Sequence, residues 1–235
     1  MPRRLLEGFR GYLQTDGYEG YNAAVEDNGL TQLYCFAHAR RRFVDALKAL
    51  GLNPKKLPEK PPDKARRPIK GLSFIRSLYE IERRIRGRPP DERFAVRQGE
   101  SVPVLEQLKA WLDETRPQVL PSAPLGDALA YLDHHWAGLR RYCEDGRLEI
   151  DNNLCENAIR PFVVGRRNWL FSDTVHGAKA SANLYSIIQT ARTNQLEPYA
   201  YLRFVFTELP KAQTVEEIEA LLPFELDPSS LTITT

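Results

Sequence analysis

Apolar and polar positions alternate with a period of two in only two short places. Over residues 10–16, Tyr12 and Gln14 alternate with Leu13, and the β-favouring Thr15 leads into Asp16. This predicts a strand that ends in an acid, broken by Gly17 and Gly20. Residues 32–36, Gln-Leu-Tyr-Cys-Phe, predict a second strand. The period then changes. Phe43, Ala46, Leu47 and Leu50 fall at i, i+3, i+4 and i+7, which predicts a helix over 37–50 stopped by Gly51. Leu72, Ile75, Leu78, Ile81 and Ile85 mark a further helix, closed by Gly87 and Pro89. Leu105, Leu108, Trp111 and Leu112 mark another, and Leu125, Leu129, Leu132, Trp136 and Leu139 one more after Pro121 and Pro124. Beyond an Asp145-Gly146 turn signal, residues 151–160 predict a short helix ending before Pro161, and 162–172 read as extended. Helices follow near 177–193, 197–209 and 215–222, the last opened by a capping box from Thr214 and Glu217. The fold class expected is α+β and helix-rich. Two isolated strands do not easily sustain a sheet, a hint that sheet partners are missing.

Composition changes this picture in two places. Residues 53–70 hold five prolines, seven Lys or Arg and two acids, which predicts an exposed, semi-extended basic loop. The chain's 235 residues, 42% hydrophobic and 27% charged, suit one large or two small globular domains and are too apolar for a disordered chain. No run of 18 apolar residues exists, so no transmembrane helix is expected, and the start Met-Pro-Arg-Arg-Leu-Leu-Glu-Gly lacks the apolar stretch of a signal peptide. Three scattered cysteines, Cys35, Cys143 and Cys155, argue against a disulfide scaffold and for a reducing, cytoplasmic setting. With 33 basic and 31 acidic side chains the net charge of +2 neither demands nor excludes a nucleic-acid partner; the distribution of charge matters more.

Several constellations could carry chemistry. Asp16 at a strand end, followed by Gly17, is placed to hold a metal or substrate at a sheet edge; it is equally a turn-forming Asp-Gly pair. In Glu149-Ile-Asp151-Asn152-Asn153-Leu-Cys155-Glu156, an Asn153 cap would put Glu156 at the third helical position, where it either closes a capping box or projects toward a metal. Asn152, Glu156 and Arg160 then share one face at i, i+4 and i+8, with Asp151 beside them. Cys35-Phe-Ala-His38 has half the spacing of a zinc site, but no second ligand pair accompanies it. Arg40 and Arg41, followed by Arg42, sit near a helix start, where cations oppose the macrodipole unless an anion faces them. Between Asn157 and Lys179 stand four Lys or Arg and one acid, with Arg166 and Arg167 next to Trp169 and Phe171. Such a stretch can neutralise phosphates and stack on bases, or it can be an edge strand with its arginines outward. No P-loop, G-x-G-x-x-G or G-x-S-x-G motif is present.

Taken together, several of these strings resemble one family, the IS66-type insertion-sequence transposases. The resemblance rests on Leu13-Gln-Thr-Asp-Gly-Tyr-Glu-Gly-Tyr-Asn22, Cys35-Phe-Ala-His-Ala-Arg-Arg41 and Asp145-Gly-Arg-Leu-Glu-Ile-Asp-Asn-Asn-Leu154. It continues through Glu156, Ile159-Arg-Pro-Phe-Val-Val-Gly-Arg-Arg-Asn-Trp-Leu-Phe171, Gly177-Ala-Lys-Ala-Ser181 and Glu197-Pro-Tyr-Ala-Tyr-Leu202. It implies a DDE-type catalytic core of RNase H-like fold, which nicks transposon ends and joins them to target DNA with two Mg²⁺ ions held by Asp, Asp and Glu. Residues 1–50 would then be partial RNase H-like strands and a helix, and 51–144 a basic Pro-rich loop with an all-α insertion. Residues 145–195 would be the end of the core with the third acid, and 196–235 a helical tail. Asp16 matches the family's second acid and Glu156 its third, with Asp151 as the fallback; these would hold Mg²⁺. Arg40, Arg41, Arg160, Arg166, Arg167 and Lys179 would contact DNA, with His38, Asn152, Asn153 and Trp169 in support. The family's first acid belongs on an earlier strand, whereas the only acid before Asp16 is Glu7. The chain is therefore expected to be the C-terminal part of a transposase, catalytically incomplete alone, partnered by DNA and by a full-length transposase or its own copies. The competing expectations are a non-catalytic DNA-binding or transposase-partner protein and a helical structural module.

Overall fold

A computed structural model describes residues 2–231; the end of the expected tail, 232–235, lies outside the described residues. The chain divides into two units, one running to Leu154 and one from Cys155, each with its own hydrophobic cluster. Among the described residues no helix is long and apolar enough to cross a membrane.

In the first unit a single helical turn, α1 (Pro2–Leu5), precedes β1 (Tyr12–Thr15), which lies within the predicted 10–16, while the strand predicted over 32–36 ends at Tyr34 because a helix takes over from Phe36. Parallel strands need a crossover, which α2 (Asn22–Asn28) supplies before β2 (Thr31–Tyr34). The two strands pair in parallel from Tyr12 with Thr31 to Thr15 with Tyr34. What covers this small sheet is helical. α3 (Phe36–Ala49) buries Phe36, Ala39, Phe43, Ala46 and Leu47 on the predicted face, and the first three share one cluster with Leu33 of β2.

α4 (Asp63–Arg84) corrects the loop expected over 53–70: only 53–62 is irregular, and the helix starts within the basic stretch. The apolar stripe continues backward through Ala65, Pro68 and Gly71, all buried. Burial of that face outweighs the one hydrogen bond that Pro68 cannot donate. α5 (Pro90–Val96) and a π-helical stretch, Arg97–Ser101, then lead into α6 (Val102–Thr115). The single helix expected over 125–139 is two, α7 (Pro124–His134) and α8 (Trp136–Arg140), broken at His135. α8 lies close on β2: a Cβ at Gly138 would stand 2.3 Å from the Tyr34 ring. Arg141, just beyond α8, donates to the Gln32 carbonyl of the strand.

The turn at 145–148 is locked from inside. Arg97 is fully buried and forms a two-pronged ion pair with Glu82 (2.7 and 2.8 Å). Its remaining hydrogens go to the carbonyls of Tyr142, Asp145 and Leu148 at 2.7–3.0 Å. Gly146 is required by close approach, because a Cβ there would fall 1.8 Å from the Pro90 carbonyl oxygen.

α9 (Asn153–Trp169) takes its first two residues from the first unit and the rest from the second. It corrects two expectations together: the helix does not end before Pro161, and 162–169 is helical rather than extended. Val163 and Val164 favour strands, but Phe162 and Trp169, seven residues apart on one helical face, both pack on Tyr185 (centroids 5.2 and 5.8 Å). Tyr185 belongs to α10 (Val175–Thr193), capped by Thr174, whose hydroxyl accepts from the Gly177 amide. α11 (Pro198–Glu208) is capped by Glu197, and α12 (Val215–Glu219) has the predicted Thr214–Glu217 capping box but is shorter than expected. The second unit's cluster is small: Ala191, Leu196, Tyr201 and Val205 are its buried members.

Candidate functional site

Asp16 is the first residue beyond β1 and Cys35 the first beyond β2, so in this parallel pair both stand at the strands' carboxyl ends. Crevices at carboxyl ends of parallel strands are where open α/β sheets bind ligands. A third segment borders the same end. The Phe36 amide donates to the Ile150 carbonyl (3.1 Å), and the Gln14 side chain donates to the Glu149 carbonyl (2.9 Å). The fold thus carries residues 149–151 from the far side of the helical stretch back to the sheet.

Asp16 is exposed. One carboxylate oxygen accepts from the Tyr18 amide (3.0 Å), the turn geometry the Asp-Gly pair suggested, while the other accepts from no donor among the described residues. The turn is held from behind. Tyr131 donates its hydroxyl to the Asp16 carbonyl (3.2 Å), and the His135 ring lies where a Cβ on Gly17 would reach, 3.1 Å from Nε2. His135 stacks with Tyr34 (4.2 Å), Tyr131 (4.4 Å) and His134 (4.7 Å). Burial, reinforced by His134 and Arg42, lowers its pKa to about 4, so it backs the loop as a neutral ring at pH 7. Burial also drives the Tyr131 hydroxyl up to about 12. Sequence reasoning missed Tyr131 and His135, since neither sits in a motif and both lie far along the chain from Asp16.

Asp151 is committed elsewhere. One oxygen accepts from the Asn153 amide (3.0 Å); the other accepts from the Asn153 side chain (2.8 Å) and from the Tyr79 hydroxyl (2.8 Å). Burial, then Asp151 itself, pushes the Tyr79 hydroxyl far above its ordinary pKa, so it stays a donor. Asp151 therefore caps α9, the role expected of Asn153, which is instead the helix's first residue. Asn152 is half-buried beside it, and its backbone makes a hydrogen bond to Cys35, whose thiol burial pushes up. Cys35 is fully buried and His38 half-buried one turn along α3. Glu156 lies in the first turn of α9, half-buried, with Arg160 one turn on along the same face.

The expected DNA contacts fall on helices. Arg40 and Arg41 are exposed on α3, while Arg42 is drawn away to Asp127 (2.6 Å) and over the Tyr131 ring. Arg160, Arg166 and Arg167 are exposed on α9 and Lys179 on α10. Trp169 packs against Phe162 and Tyr185 and so serves its own unit.

For a divalent ion, the donor set can be weighed directly. Mg²⁺ takes hard oxygen ligands and keeps several waters, so one or two carboxylates suffice. Asp16, with an oxygen turned to solvent, fits that demand. No cluster of three or more His, Cys, Asp or Glu side chains gathers among the described residues.

Comparison with known proteins adds the following. Residues 1–180 match the family model described as "Transposase IS66 family", and residues 186–224 match "IS66 C-terminal element". The chain is 34% identical over 228 residues to the uncharacterized protein y4jD of Sinorhizobium fredii (strain NBRC 101917 / NGR234), covering 94% of this chain and 42% of that one. It is 33% identical over 235 residues to y4hP of the same organism, covering 95% of this chain and 41% of that one. The chain thus spans about two fifths of the length of these curated relatives. No solved structure matches it.

Proposed function

This chain belongs to the IS66 transposase family, and on that premise we propose that it contributes two carboxylates and DNA contacts to DDE-type strand cleavage and strand transfer. The observation that carries the reading is Asp16. It stands at the carboxyl end of a parallel strand pair, exposed, with one oxygen off the protein's own donors and its loop held by Tyr131 and His135. The β1–α2–β2 unit followed by a long helical stretch suits a partial RNase H-like core with an all-α insertion.

Asp16 and Glu156 would hold a divalent ion such as Mg²⁺, the first from the end of β1 and the second from the first turn of α9. When bound, the ion supplies the charge that activates an attacking oxygen and stabilises a leaving one. The rest falls to the protein. Tyr131 and neutral His135 fix the Asp16 loop, so its carboxylate needs no reorganisation as charge develops. Arg160, Arg166, Arg167 and Lys179 meet the phosphates of transposon-end or target DNA. Asp151 orients the helix start rather than taking a ligand. Asp16 and Glu156 would be two of the three acids that a DDE site uses. A full-length transposase or further copies of this chain would be its protein partners. A cytoplasmic setting belongs to the same proposal.

Mn²⁺ titration followed by water-proton relaxation tests the assignment. Asp16→Asn and Glu156→Gln should each weaken binding about tenfold or more. Wild-type affinity in both variants would overturn it.

A second reading is favoured by arginines that no carboxylate of the first unit engages: a DNA-binding or transposase-partner protein that does not cut. Salt-sensitive duplex binding, with no Mg²⁺-dependent product from transposon-end DNA, would select it. A product that Asp16→Ala abolishes would show instead that the two acids suffice.

A further inference from the structure

Arg76 and Arg83 lie seven residues apart on α4, with Tyr79 and Glu80 between them on the same face. With Arg86, just beyond the helix end, and Arg40 of α3 they line an open groove of about 440 Å³ that reaches Asn153. All four guanidinium groups are exposed, and among the described residues none pairs with a carboxylate. Elsewhere on the same helix and just beyond it, Arg66, Arg84 and Arg88 do find acids. Glu80 is the one acid in the groove, leaving a clear positive excess. Four like charges repel one another. Glu80 offsets only part of that cost.

We propose that this groove between α3 and α4 binds the sugar-phosphate backbone of duplex DNA, giving the helical insertion a part in substrate binding that rests on the DNA-directed function above. The geometry favours a polyanion over a single small anion. The guanidiniums are spread along the helix and solvated, not converged on one buried point. Arg76 and Arg83 stand about 10 Å apart along the axis at 1.5 Å rise per residue. That is close to the rise of three nucleotides of one strand, at 3.4 Å each. The groove is also tied to the proposed catalytic helix, because Tyr79 on its floor donates to Asp151, the residue that caps α9.

Fluorescence anisotropy of a labelled duplex, without metal, between about 50 and 200 mM salt tests this on the whole chain. Arg76→Gln with Arg83→Gln should weaken binding about tenfold at the lower salt and reduce the slope of log K against log salt by about 1.8, two phosphate contacts at 0.9 each. Arg84→Gln, on the same helix but paired with Glu100, should bind as wild type. The substituted arginines are exposed and unpaired, and an unchanged urea midpoint confirms that the fold survives. If the double variant keeps wild-type affinity and slope while Arg166→Gln with Arg167→Gln loses binding, the groove assignment falls and the DNA-directed function stands. If the wild-type chain binds no duplex at low salt, both fall. Binding of polyglutamate as tight as that of the duplex would also overturn the assignment to DNA.

Discussion

His135 shows how a single ring can hold a loop. Its neighbours are Tyr34, Tyr131, His134 and the Gly17 backbone, and Gly17, at φ 95, has the left-handed conformation that a side chain resists. The pH consequence follows from the depressed pKa, about 4 against an ordinary 6.5. Below about pH 6.5 the unfolded chain takes a proton that the folded chain refuses, so stability declines as pH falls toward 4; above 6.5 the group has no effect. The urea midpoint of the wild type should therefore drop more between about pH 7 and pH 5 than that of His135→Gln. Equal drops would show that His135 is not held neutral. In the sequence, His134-His135 is only a pair with no ligand partners, and its role becomes visible once α7 carries it beside Asp16.

Among the elements, the segments joined by Arg97 have the most at stake. The Arg97–Glu82 pair ties α4 to the stretch before α6, and the three carbonyls on Arg97 fix the turn that delivers residues 149–151 to the sheet. Removing one partner of a buried pair strands the other charge. Arg97→Ala should cost about 3–5 kcal/mol in urea unfolding, while replacing both residues by apolar ones of similar volume should recover much of the loss. A cost below about 1 kcal/mol for the single variant would show that the pair is solvated. Periodicity located most helices but misjudged their ends, for identifiable reasons. Pro68 counted toward a loop and Pro161 read as a stop, yet each lies in a helix whose packed face outweighs one missing amide. The break at His135 leaves no trace in the apolar spacing because Leu132 and Leu139 stay buried on both sides of it.

Across the molecule the two units differ in how much they bury. The first has a continuous cluster from Leu33 through Ile150, whereas α9 has no buried residue and α10 has Ala191 alone. Local opening is governed by such burial, so amides of α9 should exchange with deuterium orders of magnitude faster than those buried in α3 and α4. Equal protection would show that α9 is stabilised to the same degree. The helix-rich α+β class, the two strands with Asp16 at an end, the face of α3, the α12 capping box and the family were all legible in the sequence. Each depends on spacing within a few residues, or on strings of residues read in order. The partners of Asp16, the commitment of Asp151 to a cap, the internal Arg97 clamp and the arginine groove were decided only by tertiary structure. They join positions tens of residues apart, and whether an arginine is paired or left unpaired depends on which acids the packed helices bring within reach.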